Sequence, residues 1–225
     1  MNLEVIVAQP LLKANEELAK QNRNLLNRRG ITTVNLISAP GAGKTTLLEK
    51  TIEALKNSFS IGIVEGDIYT TFDSERLAGQ GVAAVQINTY GGCHLDAQMV
   101  AQALERLPLD KIKLLFIENV GNLVCPAEFD LGENYKVAIL SVSEGSDKPK
   151  KYPLVFQEAE AVILNKIDLL PYTDFDLAVA KEQLKEIKNN LVMFPLSAKT
   201  GEGMEAWVEW LKDKVSQTEK LSATG

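Results

Sequence analysis

A glycine-rich turn between a short apolar run and a helical pattern limits this chain more than any other feature. The turn reads Ser-Ala-Pro-Gly-Ala-Gly-Lys-Thr-Thr over residues 38–46, and the β-branched run 34–38 leads into it. A strand, a Gly-x-Gly-Lys-Thr turn and a helix in this order are typical of a loop that wraps a polyphosphate with backbone N–H groups at a helix N-terminus. The sequence therefore predicts a nucleotide-binding fold.

The side chains of this turn match the parts of a triphosphate site. Lys44 is placed to bridge the β- and γ-phosphates, and the Thr45 hydroxyl is placed to ligate Mg²⁺. The glycines keep side chains away from the phosphates, so that backbone N–H groups face them directly. Ser38 stands where the usual pattern has a glycine, and this departure limits the subfamilies to which the chain could belong. The residues expected to contact the nucleotide here are Gly41, Ala42, Gly43, Lys44, Thr45 and Thr46.

An Asn-Lys-x-Asp run predicts that the base is guanine. It occupies residues 165–168, directly after the apolar run 161–164. The Asp168 carboxylate is placed to accept hydrogen bonds from the ring N–H and the exocyclic amine of guanine, a pair that adenine lacks. A Ser-Ala-Lys run follows the strand candidate 191–196, and the Ala198 N–H is placed to meet guanine O6. GTP is therefore expected rather than ATP, with guanine contacts from Asn165, Lys166, Asp168, Ser197, Ala198 and Lys199.

Two acidic segments at predicted strand ends are similar to the switch elements of GTPases. Glu118 and Gly121 form a Glu-x-x-Gly element, in which the carboxylate is placed to hold Mg²⁺ through water and the glycine N–H to sense the γ-phosphate. Asp67 is expected to serve Mg²⁺ or to orient the attacking water, with helix capping as the alternative. No glutamine follows Gly121, so we expect slow intrinsic hydrolysis. The predicted catalytic residues are Lys44, Asp67 and Glu118, and the predicted Mg²⁺ set is Thr45, Asp67 and Glu118.

A third group of residues suits a soft transition metal. Cys93 and His94 are adjacent in a glycine-led turn, and Cys125 follows the switch glycine Gly121 by four residues. A helix predicted over 95–107 places Cys93 near its N-terminus, where the thiolate form that binds metal is favoured. Two thiolates and an imidazole suit Ni²⁺ or Zn²⁺, and the fourth position stays open or is completed by a second copy across a dimer interface. The alternative is a pair of buried thiols and a histidine satisfied within the core.

Alternating strand and helix patterns extend through the rest of the chain. Apolar strands separated by helices predict an α/β P-loop fold, with a mostly parallel sheet covered by helices on both faces. An amphipathic helical segment in residues 1–30, interrupted near Pro10, is expected before a single domain over 31–217 and a flexible tail over 218–225. The further strand candidates are 60–65, 83–88, 112–118, 136–141, 161–165 and 191–196, and the helix candidates are 44–57, 74–80, 95–107, 174–190 and 203–216.

Charge and composition argue against several classes of partner. The formal net charge of −6 disfavours nucleic acid and an anionic membrane surface, which both attract clustered Lys and Arg. No apolar stretch approaches the ~20 residues that span a bilayer. Residues 1–10 also lack the pattern of a signal peptide. With two cysteines in the chain, a structural disulfide is not expected in a reducing compartment, and we expect a cytoplasmic protein.

These motifs together resemble those of the hydrogenase nickel-incorporation GTPases, the HypB family, in the signal-recognition-like branch of P-loop proteins. The resemblance covers about residues 10–215 and is carried by segments 38–45, 65–67, 93–96, 117–126, 165–168 and 197–199. It implies a GTP-promoted homodimer that holds metal at its interface through Cys93, His94 and Cys125. It also implies delivery of nickel to a [NiFe]-hydrogenase large subunit, with a small zinc-containing maturation protein as partner. Lys148 lies in the segment that makes nucleotide contacts across the dimer in that family.

The chain departs from some members of the family, and other functions stay open. It has no N-terminal cysteine cluster and no histidine-rich stretch, so the three-residue site is the metal site we expect. A urease-type nickel GTPase is one alternative, although that family has Cys-Pro-His where Cys93 and His94 are adjacent here. Two others are a metal-independent GTPase chaperone of a cobalamin enzyme and a binding module that has lost hydrolysis.

Overall fold

Seven of the apolar runs form one all-parallel sheet in residues 9–67 and 79–223, the part of the chain described by the computed structural model. The strands are β1 (Thr32–Ser38), β2 (Ile61–Asp67), β3 (Ala83–Asn88), β4 (Leu114–Glu118), β5 (Tyr135–Ser141), β6 (Ala161–Asn165) and β7 (Val192–Pro195). Their order across the sheet is β3-β2-β4-β1-β5-β6-β7. Every residue of the central strand β1 is buried, as expected when helices cover both faces of a parallel sheet.

Helices join the strands, and two of them begin at aspartate caps. Asp96 accepts a hydrogen bond from Met99 N, and Asp176 accepts from the N–H groups of Ala178 and Val179, which satisfies first-turn donors. The α-helices are α1 (Gln9–Arg28), α2 (Lys44–Leu55), α3 (Ala97–Leu104), α4 (Cys125–Glu128), α5 (Lys148–Lys151), α6 (Pro153–Glu158), α7 (Leu177–Ile187) and α8 (Met204–Ala223), and a 3₁₀ helix spans Ile167–Tyr172.

Alternating side chains of the central strand divide the core between the two faces of the sheet. Val34 and Leu36 belong to a cluster with α2 and α8, which contains the fully buried Trp207. Ile37 belongs to a cluster on the opposite side with α6 and α7, and a third cluster joins α1 and α3 to β2 and β4. The helix that follows the glycine-rich turn is therefore fixed between the sheet and α8.

The predicted parallel sheet with helices on both faces is confirmed, and each strand candidate contains or overlaps an observed strand. Pro10 lies in α1 at the edge of the described residues, and the part of the chain before Gln9, where the predicted interruption would be seen, lies outside them. The last helix extends to Ala223, so the boundary predicted at 217 is not where regular structure ends. The helix candidate 74–80 lies almost entirely outside the described residues.

None of the helices within residues 9–67 and 79–223 is both long enough and apolar enough to cross a bilayer.

Candidate nucleotide pocket and cysteine–histidine cluster

A cavity of about 500 Å³ lies at the carboxyl ends of β1, β2 and β4. Ligands of open parallel sheets bind at this edge, because the loops that follow the strands meet there. The cavity brings together residues that are far apart in the sequence, and many of them were predicted to contact nucleotide. It is lined by Pro40, Gly41, Gly43, Lys44, Thr45, Thr46, Glu65, Gly66, Asp67, Glu118, Asn119, Val120, Gly121 and Lys166.

The glycine-rich turn has the backbone form that its sequence requires. Gly43 has φ +98°, and a Cβ atom there would lie 2.7 Å from Asn165 Nδ2. A side chain at this position would therefore be strained and would displace Asn165. Lys44 opens α2, and its Nζ donates a 3.0 Å hydrogen bond to Ser38 Oγ. The serine that replaces the usual glycine thus orients the lysine, a role that the motif alone did not reveal.

Acidic side chains close the other side of the cavity. Glu65 and Glu118 lie opposite each other on β2 and β4, and they are only 3% and 4% exposed. Thr45 Oγ1 donates a 2.9 Å hydrogen bond to Glu118 Oε1. Asp67 ends β2 at the same edge and also lines the cavity. Oxygen ligands from a threonine and carboxylates fit the preference of Mg²⁺, so the residues here suit a nucleotide with its magnesium ion.

Glu65 was not among the predicted site residues. The motif Glu65-Gly66-Asp67 drew attention to the aspartate, whereas the glutamate lies within the strand and reads as a core position. A carboxylate in an otherwise apolar strand was the signal that could have identified it, because a buried charge needs a partner or a ligand.

Asn165 joins the predicted base-binding segments to the glycine-rich turn. Its Nδ2 donates to Ala42 O at 2.8 Å, and its Oδ1 accepts from the N–H groups of Lys166 and Ala198. Lys166 Nζ donates to Gly41 O at 2.6 Å. The Ala198 N–H, which we expected to meet guanine O6, is engaged by Asn165 in this conformation. Asn165 therefore holds three loops in register.

Asp168 offers an acceptor suited to a purine amide edge. Its Oδ1 is buried and accepts no hydrogen bond from the described residues. Ser197 is fully buried, and its Oγ accepts from Thr200 N at 3.1 Å, which fixes the turn that presents Ala198. Lys199 in the same turn is exposed. A buried carboxylate oxygen without a partner is costly unless a ligand donates to it.

The second site combines two thiols and an imidazole. Cys93 Sγ lies 3.2 Å from Cys125 Sγ and 3.5 Å from His94 Nδ1. One donor atom from each of the three residues lies within 4.8 Å of the others. Cys93 is exposed and Cys125 half-buried, so the alternative of two buried thiols is wrong. The structure thus brings the three predicted metal residues into one accessible cluster.

Protonation of the cluster depends on its immediate neighbours. Burial lowers the pKa of the His94 imidazole, against opposing effects of Asp96 and Glu128, so the neutral ring that binds metals is favoured. The hydrogen bond with Cys93, followed by burial, raises the pKa of the Cys125 thiol. A metal would therefore have to displace a proton from Cys125. Helix α3 begins at Ala97 rather than at the predicted residue 95, so Cys93 lies in the loop before it, farther from the helix N-terminus than expected.

Asn122 ties the two cysteine-bearing loops together. Its Nδ2 donates to Cys93 O at 3.2 Å, and its Oδ1 accepts from Val124 N at 3.0 Å. Cys125 then opens the short helix α4, and the His94 ring packs on Phe129 with centroids 4.0 Å apart. Because Asn122 directly follows the switch glycine, the cluster is built on the same loop as one wall of the nucleotide cavity.

The parallel sheet and the loop at its carboxyl edge define a nucleotide-binding protein with the P-loop GTPase-type fold. The family described as CobW/HypB/UreG, nucleotide-binding domain, matches residues 32–195. Together with the relatives described next, this match shows that the chain belongs to the hydrogenase maturation factor HypB branch of that family.

Curated relatives support this membership. Hydrogenase maturation factor HypB of Escherichia coli (strain K12) is 50% identical over 202 residues, which cover 90% of this chain and 70% of that protein. A probable hydrogenase maturation factor HypB of Methanocaldococcus jannaschii is 42% identical over 211 residues, with 94% and 96% covered. A hydrogenase/urease maturation factor HypB of Helicobacter hepaticus is 40% identical over 215 residues, with 94% and 88% covered.

Solved structures of HypB proteins support the same family membership. HypB from Helicobacter pylori in complex with nickel superposes with a TM-score of 0.87 at 38% identity and covers 91% of this chain and 96% of its own. HypB from Archaeoglobus fulgidus gives a TM-score of 0.85 at 40% identity, with 91% and 100% covered. FtsY from Mycoplasma mycoides, at 17% identity and a TM-score of 0.53, covers 73% of this chain and 60% of its own and shares the fold alone. The family predicted from the motifs is confirmed.

Proposed function

We propose that this protein is a GTP-hydrolysing metallochaperone that binds nickel and delivers it during maturation of a [NiFe]-hydrogenase. One observation carries the proposal: the donors of Cys93, His94 and Cys125 converge within 4.8 Å of one another, and Cys125 lies on the loop that also walls the nucleotide cavity. A metal site and a nucleotide site that share a loop are placed to influence each other.

Nickel is the cargo that the donor set suits. Two thiols and an imidazole favour Ni²⁺ or Zn²⁺ over the hard cations Mg²⁺ and Ca²⁺. The Helicobacter pylori relative is in complex with nickel, which favours nickel as the ion carried by this chain. Three donors leave a coordination position free, and an accessible Cys93 allows a second copy of the chain to supply further ligands. We therefore include a homodimer with the metal at its interface.

Hydrolysis is assigned to the residues of the cavity. Lys44 is held at the turn by Ser38, in position to contact the β- and γ-phosphates of GTP. Thr45, Asp67 and Glu118 would hold Mg²⁺, which neutralises charge on the phosphates when it is bound. Asp67, at the end of β2, orients the attacking water. Turnover is slow because no glutamine follows Gly121 to position that water, and the protein acts as a switch.

GTP promotes the dimer in this proposal, and Lys148 is the candidate for a contact across it. This lysine opens α5, and its Nζ lies 5.3 Å from the centroid of the Tyr152 ring. The partners are a small zinc-containing maturation protein and, as client, the hydrogenase large subunit, in the cytoplasm. The net charge of −6 disfavours nucleic acid as a partner.

A titration of the purified protein with Ni²⁺ tests the proposal. The protein is loaded with GDP or with a non-hydrolysable GTP analogue, freed of metal, and titrated by equilibrium dialysis, with Zn²⁺ in parallel. We expect nickel to bind in both states, with a different affinity or stoichiometry and with more dimer in the GTP-analogue state by light scattering. Absence of nickel binding in both states would contradict the metallochaperone half of the proposal.

Urease is the second candidate client, favoured by the printed name of the Helicobacter hepaticus relative. The adjacent Cys93 and His94 differ from the Cys-Pro-His of urease-type nickel GTPases, so the metal cluster favours hydrogenase as the client. Complementation separates them: hydrogenase activity restored in a strain that lacks its own HypB supports the first client, and urease activity restored supports the second.

A further inference from the structure

Leu95 stands between the metal cluster and the nucleotide cavity. It follows His94 directly and is 0% exposed. Its backbone N–H donates a 3.2 Å hydrogen bond to Asn119 Oδ1. Its side chain fills the space above Gly66, where an added Cβ would lie 2.8 Å from Leu95 Cγ. The residue after the metal ligands is thus held by the end of β4 and by the end of β2, which both line the cavity.

The carboxamide of Asn119 links the loop after Glu118 to Leu95 and to β1. Asn119 follows Glu118 and is 1% exposed. Its Oδ1 accepts from Leu95 N and from Val120 N, and its Nδ2 donates to Asn35 Oδ1 at 3.3 Å. Leaving any of these buried groups without a hydrogen-bond partner would cost free energy. A rearrangement of the loop after Glu118 must therefore carry Leu95 along or exchange its hydrogen bond.

On the other side of Leu95, the chain is fixed to α1. Ala97 N donates to Asn15 Oδ1 at 2.8 Å, and Ala97 O accepts from Asn22 Nδ2 at 2.8 Å. Neither asparagine lines the nucleotide cavity. The loop that carries Cys93 is thus anchored at Ala97 on a helix outside the cavity and at Leu95 on the switch segment, the loop after Glu118. Movement of the switch segment is then taken up within the residues before Ala97.

We propose that Asn119 is a positioning residue that couples the nucleotide state to the spacing of the metal ligands through the backbone N–H of Leu95. The proposal rests on the proposed function, and it names the residue that transmits the nucleotide state. When the loop after Glu118 rearranges around the γ-phosphate, the carboxamide moves with it, and the N–H of Leu95, whose side chain is held above Gly66, releases its hydrogen bond. Cys93 and His94 then change their distance from Cys125. A buried hydrogen bond of this kind is either made or released, so the loop has two arrangements rather than a continuous range.

The first experiment compares N119A with N134A, a matched removal of an asparagine carboxamide that also accepts from a backbone N–H and donates to a second asparagine. Asn134 lies outside the cavity lining and the metal cluster. For each full-length protein, the nickel dissociation constant is measured with saturating GDP and with a saturating non-hydrolysable GTP analogue, and their ratio is taken. Allosteric ratios are typically about 5- to 150-fold. We expect N119A to bring the ratio to within about twofold of 1 and N134A to keep the wild-type ratio.

The outcomes separate this proposal from the proposed function. A wild-type ratio that persists in N119A overturns the role of Asn119 and leaves the metallochaperone intact. An equal loss of the ratio in N134A also overturns it, because the loss would then not depend on the contact to Leu95. Equal nickel affinities in the two nucleotide states of the wild-type protein overturn this proposal and remove nucleotide control from the proposed function.

A second measurement needs no variant and so does not depend on whether N119A folds. Amide hydrogen exchange is followed by NMR in the metal-free wild-type protein, with GDP and with the GTP analogue. The protection of the Leu95 N–H is expected to differ by about tenfold or more between the two states, since its acceptor moves. The Ala97 N–H, bonded to Asn15, is the internal control and is expected to stay unchanged. Equal protection of Leu95 in both states overturns the proposal.

Discussion

The hydroxyl of Thr45 donates a 2.9 Å hydrogen bond to Glu118 Oε1. This contact joins the first turn of α2 to the end of β4, two elements that are 73 residues apart in the sequence. It aligns a hydroxyl and a carboxylate toward one side of the cavity, the arrangement expected of a magnesium site before nucleotide enters.

Glu118→Gln is expected to lower the rate of GTP hydrolysis by about 10- to 100-fold, the usual cost of removing a carboxylate that supports a metal ligand. The glutamine keeps the size of the side chain and an oxygen for Thr45, so the loss reports the charge. The rate of phosphate release is measured at saturating GTP over a Mg²⁺ titration, and the variant should need more Mg²⁺.

Glu53→Gln is the control for that change. Glu53 lies on the exposed side of α2 and pairs with Lys50, so its neutralisation removes an equal charge away from the cavity. Its hydrolysis rate should match that of the wild-type protein. A normal rate and normal Mg²⁺ requirement in Glu118→Gln would exclude Glu118 from the magnesium site.

Asp168→Asn is expected to change the base that the protein prefers. The buried Oδ1 of Asp168 accepts no hydrogen bond from the described residues. Two hydrogen bonds to a carboxylate contribute about 3 kcal/mol or more, so GTP affinity should fall roughly 100-fold or more. The asparagine N–H₂ can instead donate to the C2 carbonyl of xanthine, and affinity for xanthosine triphosphate should rise.

Both changes are measured in one assay, in which GTP or xanthosine triphosphate (XTP) displaces a fluorescent GDP or xanthosine diphosphate analogue. Asp174→Asn, a nearby aspartate outside the predicted motif, is the control and should keep the preference for guanine. If Asp168→Asn retains the wild-type ratio of GTP to XTP affinity, Asp168 does not read the base.

The sequence predicted the central elements because their signals are local. A β-branched run followed by Gly-x-Gly-Lys-Thr places β1, the turn and α2 with one pattern. Helix ends were less accurate, since they depend on contacts that a pattern does not contain. The last helix passes the predicted end at 216 because Leu211 and Val215 continue its buried face and Thr218 is also buried.

The candidate sites show the same contrast between local motifs, which the sequence reveals, and contacts between segments, which it does not. The motifs identified many of the residues that line the cavity, although not Glu65, and they did not identify the hydrogen bonds that hold these residues. Asn165 contacts Ala42 and Ala198, which are far from it in the sequence, and no local pattern encodes those contacts. The hydrogen bond from Lys44 to Ser38 spans six residues within the turn, and the pattern of the turn does not specify it. The 3.2 Å approach of Cys93 to Cys125 likewise depends on how two loops fold against each other.

Cys93→Ala and Cys125→Ala are each expected to abolish nickel binding at the cluster and to spare GTP hydrolysis. Each change removes one of two thiols from a three-donor site, and the remaining cysteine and His94 make a poor site alone. Stoichiometry is read by equilibrium dialysis and hydrolysis by phosphate release in the same preparations. Hydrolysis is the internal control for folding. Unchanged nickel stoichiometry in both variants would mean that the metal binds elsewhere.

Trp207→Phe is expected to destabilise the helix that supports the nucleotide cavity. Trp207 is 0% exposed, and its Nε1 donates a 2.9 Å hydrogen bond to Thr51 Oγ1 on α2. Loss of this bond and of ring volume should lower the free energy of unfolding by about 1–3 kcal/mol. Urea unfolding followed by circular dichroism measures the difference, with GDP present and absent.

Trp210→Phe is the matched control on the same helix. The Trp210 ring is half-buried and stacks on Trp207 with centroids 5.4 Å apart. Among the described residues it has no hydrogen bond to α2. Its replacement should cost less free energy, since less apolar area returns to water. An equal loss in the two variants would show that the hydrogen bond to Thr51 adds nothing. A larger loss in Trp207→Phe would instead show that the buried contact between α8 and α2 contributes to stability.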